Sequence, residues 1–187
     1  DLNDGDEITF GVREIDDLHT WYDYLVHQQG AVKGKVGLLG NSMGAAMAIE
    51  YAALNADIAA VIAVSAFSSL QDTINVSVEY FTGLPAFPFA PMISVWAEMI
   101  LDMDVEQVNA TKAAAQLCHT PLLIMQGGED IVVSVASGQW LYDAACGEKQ
   151  LWFEESLGHT QFDTKKPDAF RRRVLEFFDQ WLLGLGA

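Results

Sequence analysis

The segment from Lys35 to Ala56 constrains this chain more than any other. A short apolar run, Lys35-Val36-Gly37-Leu38-Leu39, enters Gly40-Asn41-Ser42-Met43-Gly44 and continues into an alanine-rich stretch. Read as a buried strand turning into a helix, these residues require a turn so sharp that strand and helix nearly touch. Such a turn admits only small residues two before and two after its centre, which Gly40 and Gly44 supply. Ala45, Ala46 and Ala48 then let the helix pack closely.

Strands and helices alternate around that turn. Ile15, Leu18, Trp21, Tyr22, Leu25 and Val26 recur at spacings that predict an amphipathic helix over 14–29, ended by Gly30. Uncharged, β-branched residues predict a buried strand over 58–65, and further strands are expected over 121–126 and 150–154. Helices are expected up to residue 56, over 93–103, over 134–145, and from Pro167 onward with Phe170, Val174, Phe177, Phe178 and Trp181 on one face. This alternation predicts an α/β fold, a parallel sheet with flanking helices and right-handed crossovers. Residues 67–118, broken by Pro85, Pro88 and Pro91, are too long for a simple crossover and read as a small helical cap or lid within a single domain over 1–187. Residues 1–7, acidic and glycine-containing, read as a loop.

Composition removes several classes of function. With 187 residues, 51% hydrophobic and 19% charged, the chain has enough apolar material for a substantial core. A net charge of −16 argues against nucleic-acid backbones and anionic membranes as partners. Five of the ten basic residues lie together as Lys165, Lys166, Arg171, Arg172 and Arg173, and a solvated helix face explains them better than a docking patch. Two cysteines, Cys118 and Cys146, have no metal spacing and read as ordinary small hydrophobes rather than a disulfide framework. No apolar run is long enough to span a bilayer. The chain opens at Asp1 with neither Met nor signal peptide. A missing start would also remove an export signal, so location stays open, with the cytoplasm slightly favoured.

Gly-x-Ser-x-Gly alone is a modest signal, and its setting strengthens it. The strand before it and the helix after it make Ser42 a nucleophile at a strained turn, with the helix N-terminus stabilising negative charge beside it. A dinucleotide-binding turn is disfavoured, because Gly37, Gly40 and Gly44 have the wrong spacing and no Gly-Lys-Ser/Thr is present. A serine nucleophile needs a base, and the base needs an orienting carboxylate, both on loops after later strands. Asp130 follows the third strand and His159 the fourth, in the order acid then base. Glu129 competes with Asp130 for the acid role. His19 and His27 precede the turn and His119 lies before a strand, so His159 is preferred.

At these loops the chain resembles the α/β-hydrolase superfamily. The resemblance rests on Gly-Asn-Ser-Met-Gly, on Gly127, Asp130 and Val133, and on Gly158-His159 before a Pro-initiated last helix. It extends from about Thr9 to Leu183. Thr9-Phe10-Gly11 through Asp16-Asp17-Leu18, and Ser65-Ala66-Phe67-Ser68-Ser69-Leu70, resemble segments of serine-aminopeptidase-like and prolyl-oligopeptidase-like hydrolases. The resemblance implies a serine hydrolase acting on a small-molecule or peptide acyl substrate, carboxylesterase-like, with catalytic Ser42, Asp130 and His159. It implies the Met43 N–H as one oxyanion donor, no metal, and no organic cofactor. A peptidase, thioesterase or acyltransferase with the same triad, or a non-catalytic binding domain, stays open.

The superfamily pattern also has earlier strands and a loop among them that supplies a second oxyanion donor, and neither is found in this sequence. The expectation is therefore the C-terminal part of such a domain, lacking the N-terminal strands. Expressed alone, these residues are expected to be insoluble, poorly folded or inactive, because the strand before Ser42 would present a bare apolar edge. Phe81, Pro85, Phe87, Pro88, Phe89 and Trp96 either line an acyl pocket or form ordinary cap core. The sequons at Asn75 and Asn109 are assigned no role.

Overall fold

The computed structural model of the chain describes residues 8–184, so the expected loop over 1–7 lies outside the described residues. In chain order, α1 (Glu14–His27) leads to β1 (Val36–Asn41), α2 (Met43–Leu54) and β2 (Ile58–Val64). There follow α3 (Leu70–Thr82), α4 (Ala86–Leu101), a 3-10 turn (Val105–Gln107) and α5 (Ala110–Ala114). The chain then forms β3 (Leu122–Gly127), α6 (Ser137–Ala144), β4 (Lys149–Glu154), α7 (Phe162–Lys165) and α8 (Pro167–Phe178), ending in a π-helical turn. The four strands make one parallel sheet in the order β1-β2-β3-β4, as the alternating pattern predicts.

The two central strands are covered on both faces, their successive side chains pointing to opposite sides of the sheet. Val61 and Ala63 of β2, with Leu122 and Ile124 of β3, pack under α1, α2, α5 and α6. Ala60, Ile62, Val64, Leu123 and Met125 face the other way, against Phe162 and the apolar stripe of α8. That stripe includes Phe170, Val174, Phe177 and Phe178, with Trp181 just beyond it, as its spacing predicts. Arg171, Arg172 and Arg173 lie on the exposed side, with the Arg173 guanidinium over the Trp152 ring. Among the described residues no single helix is long and apolar enough to cross a membrane.

The segment between β2 and β3 is more regular than its prolines suggest. α3 begins at Ser69, whose Oγ accepts a hydrogen bond from the Asp72 N–H, an N-cap legible in Ser69-Leu70-Gln71-Asp72. α4 starts seven residues earlier than expected, at Ala86, because its non-helical residue Phe87 precedes Pro88 and the helix resumes beyond the kink.

The cysteines correct the sequence reading. Cys118 and Cys146 are bonded to each other across a separation of 28 residues, and both are exposed. They sit in the loops before β3 and β4, which parallel pairing brings side by side through Leu122 and Lys149. Closing a loop of that length restricts the unfolded chain, so reduction is expected to cost about 2–4 kcal/mol of stability. Chemical denaturation with and without reductant measures this, and coincident midpoints would show that the bridge contributes nothing.

α2 carries one buried acid. Glu50 is 8% exposed, and its Oε1 has no hydrogen-bond partner. Burial pushes its carboxyl from an ordinary 4.5 up to about 7, opposed only by a hydrogen bond from the Asn109 backbone. It borders a cleft of about 420 Å³ whose other charged lining residues are Glu106 and Lys112. A folded-state pKa above the unfolded value means that the folded protein keeps a proton that the unfolded chain releases. The contribution of Glu50 to stability is therefore fully present below pH 4.5, falls as pH rises towards 7, and is lower by about 3 kcal/mol above that. Glu50→Gln is expected to flatten this slope and to raise the urea midpoint at pH 8. Equal midpoints for the two proteins at pH 8 would contradict this.

Candidate active site

Ser42 stands between β1 and α2 with φ 53° and ψ −119°, outside the regions open to ordinary L residues. Its N–H donates to the Val64 carbonyl at 2.8 Å, and its own carbonyl accepts from Ala45 and Ala46 at 3.0 and 3.2 Å. A serine at this helix-capping position ordinarily turns its hydroxyl onto the first-turn N–H groups. Here the hydroxyl makes no cap bond and lies 2.9 Å from Nε2 of His159. The close approach that permits this is specific to one glycine. A Cβ on Gly40 would overlap the Gly44 carbonyl and crowd the Ala45 nitrogen, whereas a Cβ on Gly44 would meet open space. The sequence expectation that both positions must be small thus holds sterically for Gly40 alone.

His159 follows β4 and Asp130 follows β3. Nδ1 of His159 lies 2.9 Å from Oδ2 and 3.1 Å from Oδ1 of Asp130. The Asp130 side chain has no exposed area and that of His159 is 20% exposed. Burial alone would raise the Asp130 pKa. Hydrogen bonds from His159 and from the Val133 and Val132 N–H groups outweigh it and hold the carboxyl below its ordinary value. An ionised Asp130 requires the proton on Nδ1 of a neutral His159, which leaves Nε2 to accept from the Ser42 hydroxyl.

The loops bearing Asp130 and His159 are held against each other. Gly128 N–H donates to the Glu154 carbonyl at 2.9 Å, and Glu129 N–H to the Leu157 carbonyl at 2.8 Å. A Cβ at Gly127 or Gly128 would strike the backbone of Leu157 or Glu155, so both positions before the Glu129-Asp130 pair require glycine. The rival Glu129 is exposed and contributes that N–H, while Asp130 faces the imidazole. Among the other histidines, His19 lies 3.2 Å from the Tyr51 hydroxyl, and His27 hydrogen-bonds the Asp23 carbonyl at 3.0 Å. His119 is exposed in the loop before β3.

The Met43 N–H is the first of α2 and therefore has no acceptor within its helix. It adjoins Ser42 at the positive end of the helix dipole, where negative charge is stabilised.

One further residue braces Asp130 from within the sheet. Gln126 is fully buried at the end of β3 and donates from Nε2 to Asp130 Oδ2 at 3.3 Å. A polar residue closing an otherwise apolar strand, four before the acid, was its signal.

Of the six aromatic and proline residues expected to line an acyl pocket or form cap core, Phe89 alone is half-buried and the other five are exposed. Phe81, Phe87 and Trp96 are 73%, 79% and 68% exposed. An apolar cleft of about 350 Å³ lies instead between α3 and α4, lined by Phe10, Leu70, Ile74, Val78, Ile93 and Leu101 among others.

No family model matches the chain. A curated relative, the uncharacterized protein YqkD of Bacillus subtilis, is 26% identical over 177 residues, which is 94% of this chain and 57% of that protein. The chain thus spans little more than half the length of that relative. Among solved structures, the Pyrococcus furiosus esterase Pf2001 matches with TM-score 0.72 and 24% identity over 95% of this chain and 66% of its own. The Pyrococcus horikoshii acylaminoacyl peptidase matches with TM-score 0.71 and 17% identity over 93% and 28%. A Mycobacterium tuberculosis puromycin-hydrolyzing peptidase gives TM-score 0.71 and 18% identity over 92% and 26%. The chain has the α/β-hydrolase fold and corresponds to the C-terminal part of that fold.

Proposed function

We propose that the protein is a serine hydrolase that cleaves an ester or amide bond through an acyl-serine intermediate. The observation that carries this reading is the unbroken line from the Ser42 hydroxyl through His159 to Asp130, with 2.9 Å at each step. The carbonyl carbon of the substrate is attacked by Ser42 Oγ as Nε2 of His159 takes the hydroxyl proton. The Met43 N–H donates to the oxyanion that forms. Collapse expels the alcohol or amine, which receives the proton from His159, and the acyl group stays on Ser42. Water then attacks the ester, giving up a proton to His159, and the carboxylic acid leaves as His159 passes that proton to Ser42 Oγ. Throughout, Asp130 fixes the imidazole tautomer and stabilises the imidazolium. Each proton stays with His159 or a reactant, so the sequence of steps needs neither metal nor organic cofactor.

Residues 67–118 act as a cap in this reading. They leave the sheet at the C-terminal end of β2, the end at which Ser42 leaves β1. Likeness to an esterase makes a short-chain carboxylic ester the first substrate to test. The Cys118–Cys146 bridge favours an oxidising compartment over the cytoplasm as the proposed location. The reading is tested by exposing the natural full-length protein to a fluorophosphonate probe and mapping the adduct. Labelling on Ser42, with loss of p-nitrophenyl acetate hydrolysis, is expected. A protein that hydrolyses the ester while Ser42 stays unlabelled would overturn it.

A further inference from the structure

Three segments that carry the reacting groups meet at a residue that touches no substrate. Ser65 lies one position past β2, is fully buried, and has φ 50°, in the left-handed region where serine is strained. Its N–H donates to the Met125 carbonyl at 2.8 Å, which ties it to the strand leading to Asp130. The carbonyl of the peptide bond it shares with Val64 accepts from the Ser42 N–H at 2.8 Å. Its Oγ accepts from the Thr160 N–H at 3.1 Å, directly after His159. Thr160 is itself left-handed, with φ 52°. On the other side of the base, the Gly158 N–H donates to Oε1 of Gln161 at 3.1 Å. The amides flanking His159 therefore rest on side-chain acceptors instead of a strand or helix ladder.

We propose that Ser65 is the positioning residue that sets the distance between Ser42 and His159, an inference that rests on the serine-hydrolase reading. The peptide unit of Val64 and Ser65 fixes the nucleophile relative to β3 through backbone bonds. The hydroxyl then carries that reference across to the loop of the base. Two strained residues facing each other over one hydrogen bond fit this role, since such backbone persists where the surroundings over-determine it. Substitution of Ser65 leaves both backbone bonds in place and deletes only the link to Thr160, so nucleophile and acid stay put while the imidazole drifts. A misplacement of about 1 Å at a reacting group costs on the order of 100-fold in rate.

The test uses the natural full-length protein and two substitutions. Ser65→Ala removes the hydroxyl and keeps the strain, whereas Ser65→Gly removes the hydroxyl and accommodates the left-handed φ freely. Both are expected to lower kcat and the rate of fluorophosphonate labelling by about 10–100-fold with KM unchanged, and the glycine variant is expected to melt near the wild type. A glycine variant that turns over at the wild-type rate would show that the hydroxyl positions nothing. In unsubstituted protein the Thr160 amide is expected to resist hydrogen exchange, and rapid exchange there would overturn the inference even where a variant fails to fold. If the wild type labels at Ser42 and Ser65→Gly labels equally fast, only the positioning role falls. If the wild type does not label at all, the parent reading falls and takes this inference with it.

Discussion

Ser42→Ala is expected to lower kcat for p-nitrophenyl acetate by about 10⁶-fold in the natural full-length protein, with KM and folding little changed. In the proposed mechanism the oxygen it deletes is the attacking atom, and no neighbouring group takes its place at 2.9 Å from Nε2 of His159. Folding is spared because the Ser42 hydroxyl makes no cap bond to α2, while the backbone bonds to Val64, Ala45 and Ala46 stay available to alanine. His159→Ala should cost about as much, and the double variant no more than either single one, because the groups act as one unit. Steady-state rates and burst kinetics measure this. Additive losses, or retention of more than about a hundredth of the activity by Ser42→Ala, would contradict a nucleophilic Ser42.

Gly40→Ala is expected to be the most destabilising methyl that can be added near the site, at about 4 kcal/mol or more. Its Cβ would run into backbone of Gly44 and Ala45 rather than a side chain that can swing away, so strand and helix must separate. A total stability of roughly 5–15 kcal/mol leaves little margin after such a loss. Separation also moves Ser42 relative to His159, so activity should fall even in molecules that stay folded. Gly44→Ala is the control. It meets open space on a helix, where alanine is favoured over glycine by up to about 1 kcal/mol, so its denaturation midpoint should match or exceed the wild type's. Equal midpoints for the two alanine variants would show that the turn does not depend on contact at Gly40.

Much of this was legible in the chain before folding, and for local reasons. The strands over β2 and β3 announce themselves because a parallel strand covered on both faces is apolar throughout, as Ile58–Val64 is. α8 announces itself by a helical stripe opened by Pro167. The candidate site residues Ser42, Asp130 and His159 have local signals, because each follows a strand and has glycine close before it. The Ser69 cap of α3 is equally local, written in Ser69-Leu70-Gln71-Asp72 despite the prolines that follow it. Each of these signals involves residues within a few positions of one another, and local sterics and hydrogen bonding write them directly.

Sequence by itself determined the alternation of strands and helices, the sharp turn at Ser42, and the order of Ser42, Asp130 and His159 along the chain. Tertiary structure alone decided which residues distant in sequence share a bond. It joined Cys118 to Cys146, because parallel pairing of β3 and β4 sets their preceding loops side by side. It singled out Gly40 over Gly44, because only one of two equally small residues faces the neighbouring backbone. It buried Glu50 without a full set of partners and hung the His159 loop on Ser65, 95 residues away. A residue type states what a side chain is able to donate, accept or leave empty. Only the packing of remote segments states which atom will be there to meet it.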